Sequence, residues 1–441
     1  MKTSPTVLLA AILSGIALFG VSCTSNKAFR REAKDWIEST DQYKLGFVEF
    51  DDQGRFFNTG QLKDLEKLIA NEGGIGQTNY PQGIIIIAFV HGWKNNAAIN
   101  NANVIMFRQT LKQLGKAELI QTNHAPRKVV GVYAGWRGLS ATVEPFKELS
   151  LWDRKSTAHK VGGYGAMTEL LVDLERLQQD SNLALATNAP RSELIIVGHS
   201  FGGAAVYSAI SQIVTERFVD TIKRNELLKP LGDQVILLNP AFEASRHYDL
   251  NELASSIQNY PTNQRPVLSI FTSKGDWATH YFFPLGRFFS TTFENYRSHE
   301  KAADREAVGW FTPFVTHALD YKPNAEAIAE GIIVPKKKPK QVEPLTTAQI
   351  KEDVGNVQTQ RNKWRRNQKE KVVEPYYFRN SVLRPMKNYK AGDPILVVSV
   401  DKKIMKDHGD IGNQVLMNFL GEYILFCQNE HAPLTNAVSA K

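Results

Sequence analysis

A serine with a glycine two residues away on each side lies in the sequence Gly-His-Ser-Phe-Gly at residues 198–202. The apolar residues 194–197 before it predict a buried strand, and the small residues 202–205 predict a helix that begins immediately behind it. A Gly-x-Ser-x-Gly turn between a strand and a helix is typical of a nucleophile elbow, in which a side chain at either glycine would push the two elements apart. Ser200 is therefore the candidate nucleophile, at the positive end of the following helix.

Four histidines that follow Ser200 in the chain are candidates for the base that would remove its proton. Imidazole suits this task because its pKa lies near neutral pH, whereas a serine hydroxyl is a poor nucleophile without help. His408 is the first choice, because it follows the last predicted strand and directly precedes the terminal predicted helix. His317, in an apolar context, is the second choice, and His280 and His299 remain open.

A carboxylate is needed to hold the imidazole in one tautomer and to stabilise its charged form. Two acidic residues lie shortly after predicted strands that follow the serine. Asp276 comes after the apolar segment 267–271, and Glu243 comes after the segment 234–238. Asp276 could also be an ordinary turn residue in the sequence Lys-Gly-Asp. The pattern therefore leaves Asp276 and Glu243 as alternative acids.

The elements that must bring these residues together are six apolar segments, which alternate with helical sequence patterns. Such alternation predicts an α/β protein with a mostly parallel, doubly wound sheet, in which ligands bind at the carboxyl ends of the strands. Two less regular regions are residues 29–38, which predict a short helix, and residues 139–158, which predict a loop-rich excursion. The six segments are 83–90, 128–134, 194–197, 234–238, 267–271 and 395–400.

The elbow, the chain order serine, acid and histidine, and the position of each residue after its own strand resemble the α/β-hydrolases, in their serine esterase and lipase branch. The resemblance covers about residues 83–426. It implies an α/β-hydrolase fold with a cap or insertion before the last strand. Asp276 stands where that family usually carries its acid, and His408 stands where it carries its catalytic histidine. Glu243 stands at an alternative acid position that some lipases use.

The resemblance also indicates an oxyanion hole made of two backbone amides. Removal of one such donor costs on the order of 3 kcal/mol in the reaction barrier. One donor would be the amide of Phe201, directly after the nucleophile. The other would be the amide of Trp93, in a His-Gly-Trp sequence that follows the strand 83–90 and resembles the family's His-Gly motif. His91 would shape that turn and would not be the base.

The implied reaction is hydrolysis of carboxylic esters, lipid esters included, through an acyl-enzyme intermediate. An alternative is a catalytically degenerate hydrolase-fold lipoprotein of the cell envelope that binds anionic lipid or a partner. The glycine clusters 73–76 and 162–165 lack the sequence context of a phosphate or dinucleotide site. The spacing of cysteine and histidine does not suggest a metal site. We therefore expect neither a cofactor nor a metal.

The first 23 residues predict a secretory signal, because a lysine at position 2 is followed by the apolar run 7–21. Cys23 stands where a bacterial lipoprotein signal carries its lipidated cysteine, although Gly20 departs from that pattern. Ordinary cleavage or a retained anchor are the alternatives. The prediction is an exported protein of the cell envelope, anchored to the membrane through Cys23.

The resemblance divides the remaining chain into a core at 24–276, an insertion or cap at 277–393, the last strand and helix at 394–430 and a flexible tail at 431–441. Aromatic residues crowd the start of the insertion, at 277–289. They predict either an acyl-binding wall or lid beside the active site, or the core of a cap.

The net charge of +8 is concentrated in one part of the predicted insertion. Residues 336–371 hold eleven lysines and arginines against four acidic residues, which gives +7. Because the rest of the chain is nearly neutral, the charge does not indicate nucleic-acid binding. The segment 335–371 is predicted to be flexible, and it either contacts anionic lipid head groups or is a solvated loop.

Overall fold

The structure is a computed structural model that describes residues 26–120, 125–140, 146–224, 226–291, 295–296, 300–324 and 346–428. The predicted signal with Cys23, the tail 431–441 and the candidate base His299 lie outside the described residues. In the described part of the chain, no helix is both long and apolar enough to cross a membrane.

The strands and helices alternate along the chain and are labelled here in chain order. The strands β1 to β11 are Ile37–Ser39, Lys44–Phe50, Ile84–Val90, Lys128–Trp136, Glu193–His199, Gln234–Leu238, Leu268–Ser273, His317–Tyr321, Tyr376–Phe378, Ser381–Pro385 and Ile395–Val400. The helices α1 to α10 are Thr59–Glu72, Ala102–Ile120, Phe146–Gly163, Ala166–Ala184, Phe201–Arg224, Tyr248–Ser256, Phe283–Ser290, Glu300–Arg305, Thr347–Glu370 and Gln414–Cys427.

The described strands form one sheet in the order β1-β2-β4-β3-β5-β6-β7-β11-β8-β10-β9. From β2 to β8 in this order the strands run parallel, while β1, β10 and β9 pair antiparallel at the two edges. Every residue of β3 and β6 is buried, as expected for apolar strands covered on both faces. The nucleophile strand β5 therefore lies near the middle of the parallel region.

Two hydrophobic cores lie on opposite faces of the sheet. One core is formed with residues of α1, α3, α4, α5 and α6, and the other with residues of α2, α9 and α10. This arrangement confirms the predicted α/β fold with a mostly parallel sheet wound on both faces. The six predicted strands are all present, and their carboxyl ends lie at one edge of the sheet.

The predicted insertion 277–393 contributes to the sheet as well as to the region beside the active site. Its strand β8 pairs parallel with β11, and its strands β10 and β9 continue the sheet beyond β8. The part of the segment that follows Asp276 forms a π-helix at Ala278–Phe282 and the helix α7. The first part therefore covers the carboxyl edge, and the later part extends the sheet.

The prediction of a flexible segment at 335–371 is wrong for most of its length. Residues 347–370 form the helix α9, which begins with a capping box between Thr346 and Gln349. Trp364 is fully buried in this helix, and its indole N–H donates to the carbonyl of Gln264 at 2.8 Å. The buried face of the helix is mostly polar, with only Val357 and Trp364 as apolar members, so composition alone suggested a loop. Residues 335–345 lie outside the described part.

Two local predictions are also wrong. Residues 139–158 were predicted to be rich in loops, but from residue 146 onward they belong to the helix α3, which continues to residue 163. Its apolar pattern is weak because Arg154 and Lys155 are buried through ion pairs with Asp52 and Glu243. Residues 29–38, predicted as a helix, instead form a short 3₁₀ turn and the strand β1, because the carboxylate of Glu49 accepts the backbone amides at 29 and 30.

Candidate active site

The elbow holds Ser200 in a conformation that few side chains adopt. Its φ is 55°, in the left-handed region, and its amide donates to the carbonyl of Leu238 at 3.0 Å. A Cβ added at Gly202 would lie 2.1 Å from the carbonyl oxygen of Val90, and one at Gly198 would lie 2.8 Å from the Cα of Gly203. Only glycine therefore allows β5, β3 and α5 to approach this closely around the serine.

Three side chains from different strand ends meet in one hydrogen-bonded chain. The Ser200 hydroxyl donates to Nε2 of His408 at 2.7 Å. Nδ1 of the same ring donates to Oδ2 of Asp276 at 2.8 Å. Because the carboxylate accepts at Nδ1, the neutral ring carries its proton there, and Nε2 is left as the acceptor that faces the serine. The structure thus brings together the three residues that sequence reasoning put first.

Asp276 is fully buried and is held by residues of the segment that follows it. Thr279 donates to it twice, from its amide at 3.1 Å and from its hydroxyl at 2.6 Å. Trp310 in turn donates its indole N–H to the Thr279 hydroxyl at 2.9 Å. Burial alone would raise the pKa of Asp276, but the His408 ring and the hydrogen bonds from Thr279 leave it below its ordinary value. The carboxylate therefore stays ionised beside the imidazole.

The main chain of His408 is fixed by two side chains that sequence reasoning missed. Its carbonyl accepts hydrogen bonds from Nε2 of His199 at 2.9 Å and from Nδ2 of Asn239 at 3.0 Å. Asn239 has φ 44°, and its Oδ1 accepts the amide of Ser273 at 2.8 Å. The ends of β5, β6 and β7 thus hold the loop that carries His408. The sequence held a weak signal for Asn239, since asparagine adopts the left-handed conformation more often than most residues.

The loop after β3 runs directly beside the nucleophile. A Cβ added at Gly92 would lie 2.7 Å from the Cβ of Ser200, so this position also requires glycine. His91 is buried and tied to the end of β4: its Nε2 accepts the amide of Trp136 at 3.0 Å, and its carbonyl accepts the Trp136 indole N–H at 2.9 Å. Burial lowers the pKa of His91 to about 4. His91 thus shapes the loop, as expected. Trp93, whose amide is a predicted oxyanion donor, follows two residues later in the same loop.

The amide of Phe201, which is also a predicted oxyanion donor, is at the first position of helix α5. A first-turn amide has no carbonyl partner within its own helix and points beyond the helix end. The Phe201 side chain is buried and lines the same cleft as Ser200, His408 and Trp93. The helix end and the loop after β3 thus flank the nucleophile from two sides.

The alternative candidates for base and acid make other contacts. His317 is fully buried in β8, where its Nδ1 lies 3.0 Å from the hydroxyl of Thr316 and its ring packs on Tyr389. His280 stacks on Trp310, with ring centroids 3.9 Å apart. Within the described part of the chain, neither ring forms a hydrogen bond with Ser200.

Glu243, the alternative acid, belongs to a buried charge cluster. It pairs with Lys155, with Nε of Arg287 at 3.3 Å and with Nε of Arg246 at 3.5 Å. Burial would raise its pKa, but the neighbouring cations lower it to about 2. This cluster joins the end of β6 to α3 and α7, and sequence reasoning missed it because its members are far apart in the chain.

A cleft of about 1900 Å³ opens above Ser200. Its lining combines apolar residues of the segment that follows Asp276 with members of the charge cluster. The described residues contain no group of three or more histidine, cysteine, aspartate or glutamate side chains that could hold a metal ion. The apolar residues of this segment that line the cleft are Trp277, Ala278, Phe282, Phe283 and Leu285.

The comparisons with known proteins agree with this architecture. Residues 171–281 match a family described as "Alpha/beta hydrolase of unknown function (DUF900)". The matched segment contains the elbow with Ser200 and extends past Asp276. No curated protein sequence matches the chain. With a mostly parallel sheet wound on both faces, a strand–elbow–helix at its centre and this match over residues 171–281, the chain has an α/β-hydrolase fold.

Proposed function

We propose that this α/β-hydrolase is a serine hydrolase that cleaves carboxylic esters through an acyl-enzyme intermediate. The observation that carries the proposal is the position of His408, within 2.7 Å of the Ser200 hydroxyl and within 2.8 Å of the Asp276 carboxylate. This arrangement supplies a nucleophile, a base and an orienting acid in one chain of hydrogen bonds.

In the first half of the reaction, Ser200 Oγ attacks the carbonyl carbon of the ester while Nε2 of His408 takes the hydroxyl proton. The ring becomes positively charged, and the buried Asp276 carboxylate stabilises that charge. The carbonyl oxygen becomes an oxyanion, for which the amides of Phe201 and Trp93 are the proposed donors. The carbon–oxygen bond to the alcohol then breaks, and the alcohol leaves with the proton from His408.

In the second half, water replaces the alcohol. His408 takes a proton from the water as its oxygen attacks the acyl carbon, and the bond to Ser200 Oγ breaks as the serine regains a proton. The products are a carboxylic acid and the free enzyme. The cleft of about 1900 Å³ is open enough to admit a substrate with a long acyl chain.

The alternative is a binding protein that keeps the fold without the chemistry. Loss of catalysis normally removes the constraint on the positions of three side chains from three strand ends. Here Thr279 and Trp310 support the acid, and His199 and Asn239 hold the base. This amount of support around His408 favours an active enzyme.

The test is labelling of the purified protein with a fluorophosphonate, which reacts only with an activated serine. We expect one label per chain, lost in Ser200→Ala and retained in the control Ser255→Ala, whose serine is exposed on α6. Circular dichroism and thermal unfolding would verify that both variants fold. Absence of labelling in the folded wild-type protein, or labelling that survives in Ser200→Ala, would contradict the proposal.

A further inference from the structure

We propose that the ester carries an anionic group, phosphate or carboxylate, which binds the cationic residues of the cleft while the acyl chain packs on its apolar residues. This inference rests on the proposed function and names the substrate class of the same site. We define the cationic wall as Lys155, Lys160, Arg246 and Arg287, and the apolar wall as Trp277, Phe282, Phe283 and Leu285; all eight residues line the cleft.

The charge of the cleft is the first argument. Its lining residues include the four cations of the cationic wall and also Lys94, against two carboxylates, Glu243 and Asp304. Among the described residues, the lining thus carries five positive and two negative side chains. A concave surface with an excess of one sign concentrates ligands of the opposite sign.

The two carboxylates are already committed to partners. Glu243 alone faces Lys155, Arg246 and Arg287. Asp304 pairs with Arg287, and its oxygens also accept hydrogen bonds from Ser245 at 2.8 Å and Tyr296 at 2.7 Å. The carboxylates therefore do not neutralise all the cations, and an anionic ligand would complete the balance.

Two cations of the wall keep donors available for a ligand. The Arg246 side chain is 39% exposed; it uses Nη1 on Ser208 and Nε on Glu243, and its Nη2 makes no hydrogen bond with the described residues. Lys160 is half-buried at the end of α3 and has no ion pair within the described part of the chain. A guanidinium and an ammonium that face one cleft are the groups that bind phosphate or carboxylate oxygens best.

His159 lines the same cleft as these cations. Burial, and then the charge of Arg246, lower the pKa of His159 to about 4. The ring is therefore neutral at neutral pH and adds no positive charge to the cleft.

The apolar wall fits an acyl chain. Trp277 is 54% exposed and Leu285 is 55% exposed, although both line the cleft directly after the catalytic acid in the chain. The rings of Trp277 and Phe282 contact each other with centroids 4.6 Å apart. Large apolar side chains exposed together mark a surface that binds an apolar ligand.

The two walls are adjacent, since Arg287 lies on the same helix α7 as Phe283 and Leu285. The ammonium of Lys155 lies 4.4 Å from the centre of the Phe283 ring. An amphiphile with its chain on the apolar wall would therefore bring its polar head to the cationic wall over a short distance. Both walls border Ser200, so the scissile ester would lie between chain and head.

The test compares two esters that differ by one phosphate group: a medium-chain monoacylglycerol and the same compound phosphorylated on a free hydroxyl. We expect kcat/KM to be about tenfold or more higher for the phosphorylated ester, equivalent to about 1.4 kcal/mol. Arg246→Gln and Lys160→Gln should each reduce this preference about threefold or more. Arg246→Lys, which keeps the charge, should restore most of it, and Lys63→Gln, an exposed lysine on α1, should leave it unchanged.

Two arms distinguish a lipid head group from a soluble anionic ester. A preference measured with monomeric substrates, together with competitive inhibition by inorganic phosphate, would assign the site to soluble anionic esters. A preference present only when the phosphorylated lipid is in vesicles would assign it to a lipid head group. Equal kcat/KM for the charged and neutral esters in both arms would overturn the inference. Fluorophosphonate labelling is measured in parallel, so that failure of the proposed function is recognised separately.

Discussion

The imidazole of His199 donates a hydrogen bond to the backbone carbonyl of His408, 2.9 Å away. The residue directly before the nucleophile thus holds the loop that carries the proposed base. Burial, and then repulsion by the His408 ring when it is protonated, lower the pKa of His199 to about 3, so its ring is neutral near physiological pH. Its Nε2 then carries the proton that the carbonyl accepts, and the two rings lie 5.3 Å apart between centroids.

We therefore predict that His199 is a positioning residue for His408. Loss of the donor in His199→Ala should lower kcat about 10- to 100-fold and change KM little, because a base displaced by even 1 Å loses catalytic efficiency. His199→Gln, whose amide can donate to the same carbonyl, should recover much of kcat. The measurement is steady-state kinetics on a soluble ester. A purely structural role would instead lower the melting temperature of both variants and leave kcat of the folded fraction unchanged.

The second prediction separates the two candidate acids. Asp276→Asn should lower kcat about 10⁴-fold, because the ring of His408 would lose the acceptor that fixes its tautomer. Glu243→Gln should act mainly on stability, at a cost on the order of 3 kcal/mol, since Lys155 and Arg287 would lose their shared buried counter-ion. Kinetics and urea unfolding of both variants test this. A larger loss of kcat in Glu243→Gln than in Asp276→Asn would exchange the two assignments.

The third prediction concerns the pH dependence of stability. Burial raises the pKa of Asp393 from its ordinary value of 3.8 to about 7. Between these values the folded state keeps a proton that the unfolded state has lost, so the free energy of unfolding falls as pH rises, by up to about 1.4 kcal/mol per pH unit. Asp393→Asn keeps the acceptor for the amide of Ile395, 2.9 Å from Oδ1 in the wild type, and removes the titration.

Urea unfolding at pH 5 and at pH 7 measures this effect. Relative to wild type, Asp393→Asn should be more stable at pH 7 than at pH 5. The exposed residue Asp41 supplies the control, and Asp41→Asn should follow the wild type at both values. Parallel pH profiles for wild type and Asp393→Asn would contradict the prediction.

The central fold and the three residues of the triad could be predicted because their signals are local. Ser200, Asp276 and His408 each follow an apolar strand, and the carboxyl ends of parallel strands meet at one edge. The supporting contacts are not local: Trp310 is 31 residues from Thr279, and Asn239 is 169 residues from His408. The periodicity of hydrophobic residues in the sequence does not reveal contacts between residues so far apart.

The wrong local predictions have a related cause. Helix α3 carries Arg154 and Lys155 on its buried side, where ion pairs with Asp52 and Glu243 replace apolar contacts. Helix α9 is strongly basic, yet it is anchored by the buried Trp364. Hydrophobic periodicity identifies a helix only when its buried side is apolar. Buried charges and single large anchors become recognisable only when their partners in the fold are known.

The last prediction concerns the loop after β3, whose close approach to the serine depends on Gly92. A Cβ there would lie 2.7 Å from the Cβ of Ser200, so Gly92→Ala should push the loop and the Trp93 amide away from the nucleophile. We expect kcat to fall about 10²- to 10³-fold, the cost of one lost oxyanion donor. Gly421→Ala on α10 is the matched control, because a Cβ at that glycine would meet nothing within 4 Å. An unchanged kcat in folded Gly92→Ala would exclude this loop from the oxyanion hole, whereas equal losses in both variants would indicate a general effect on folding.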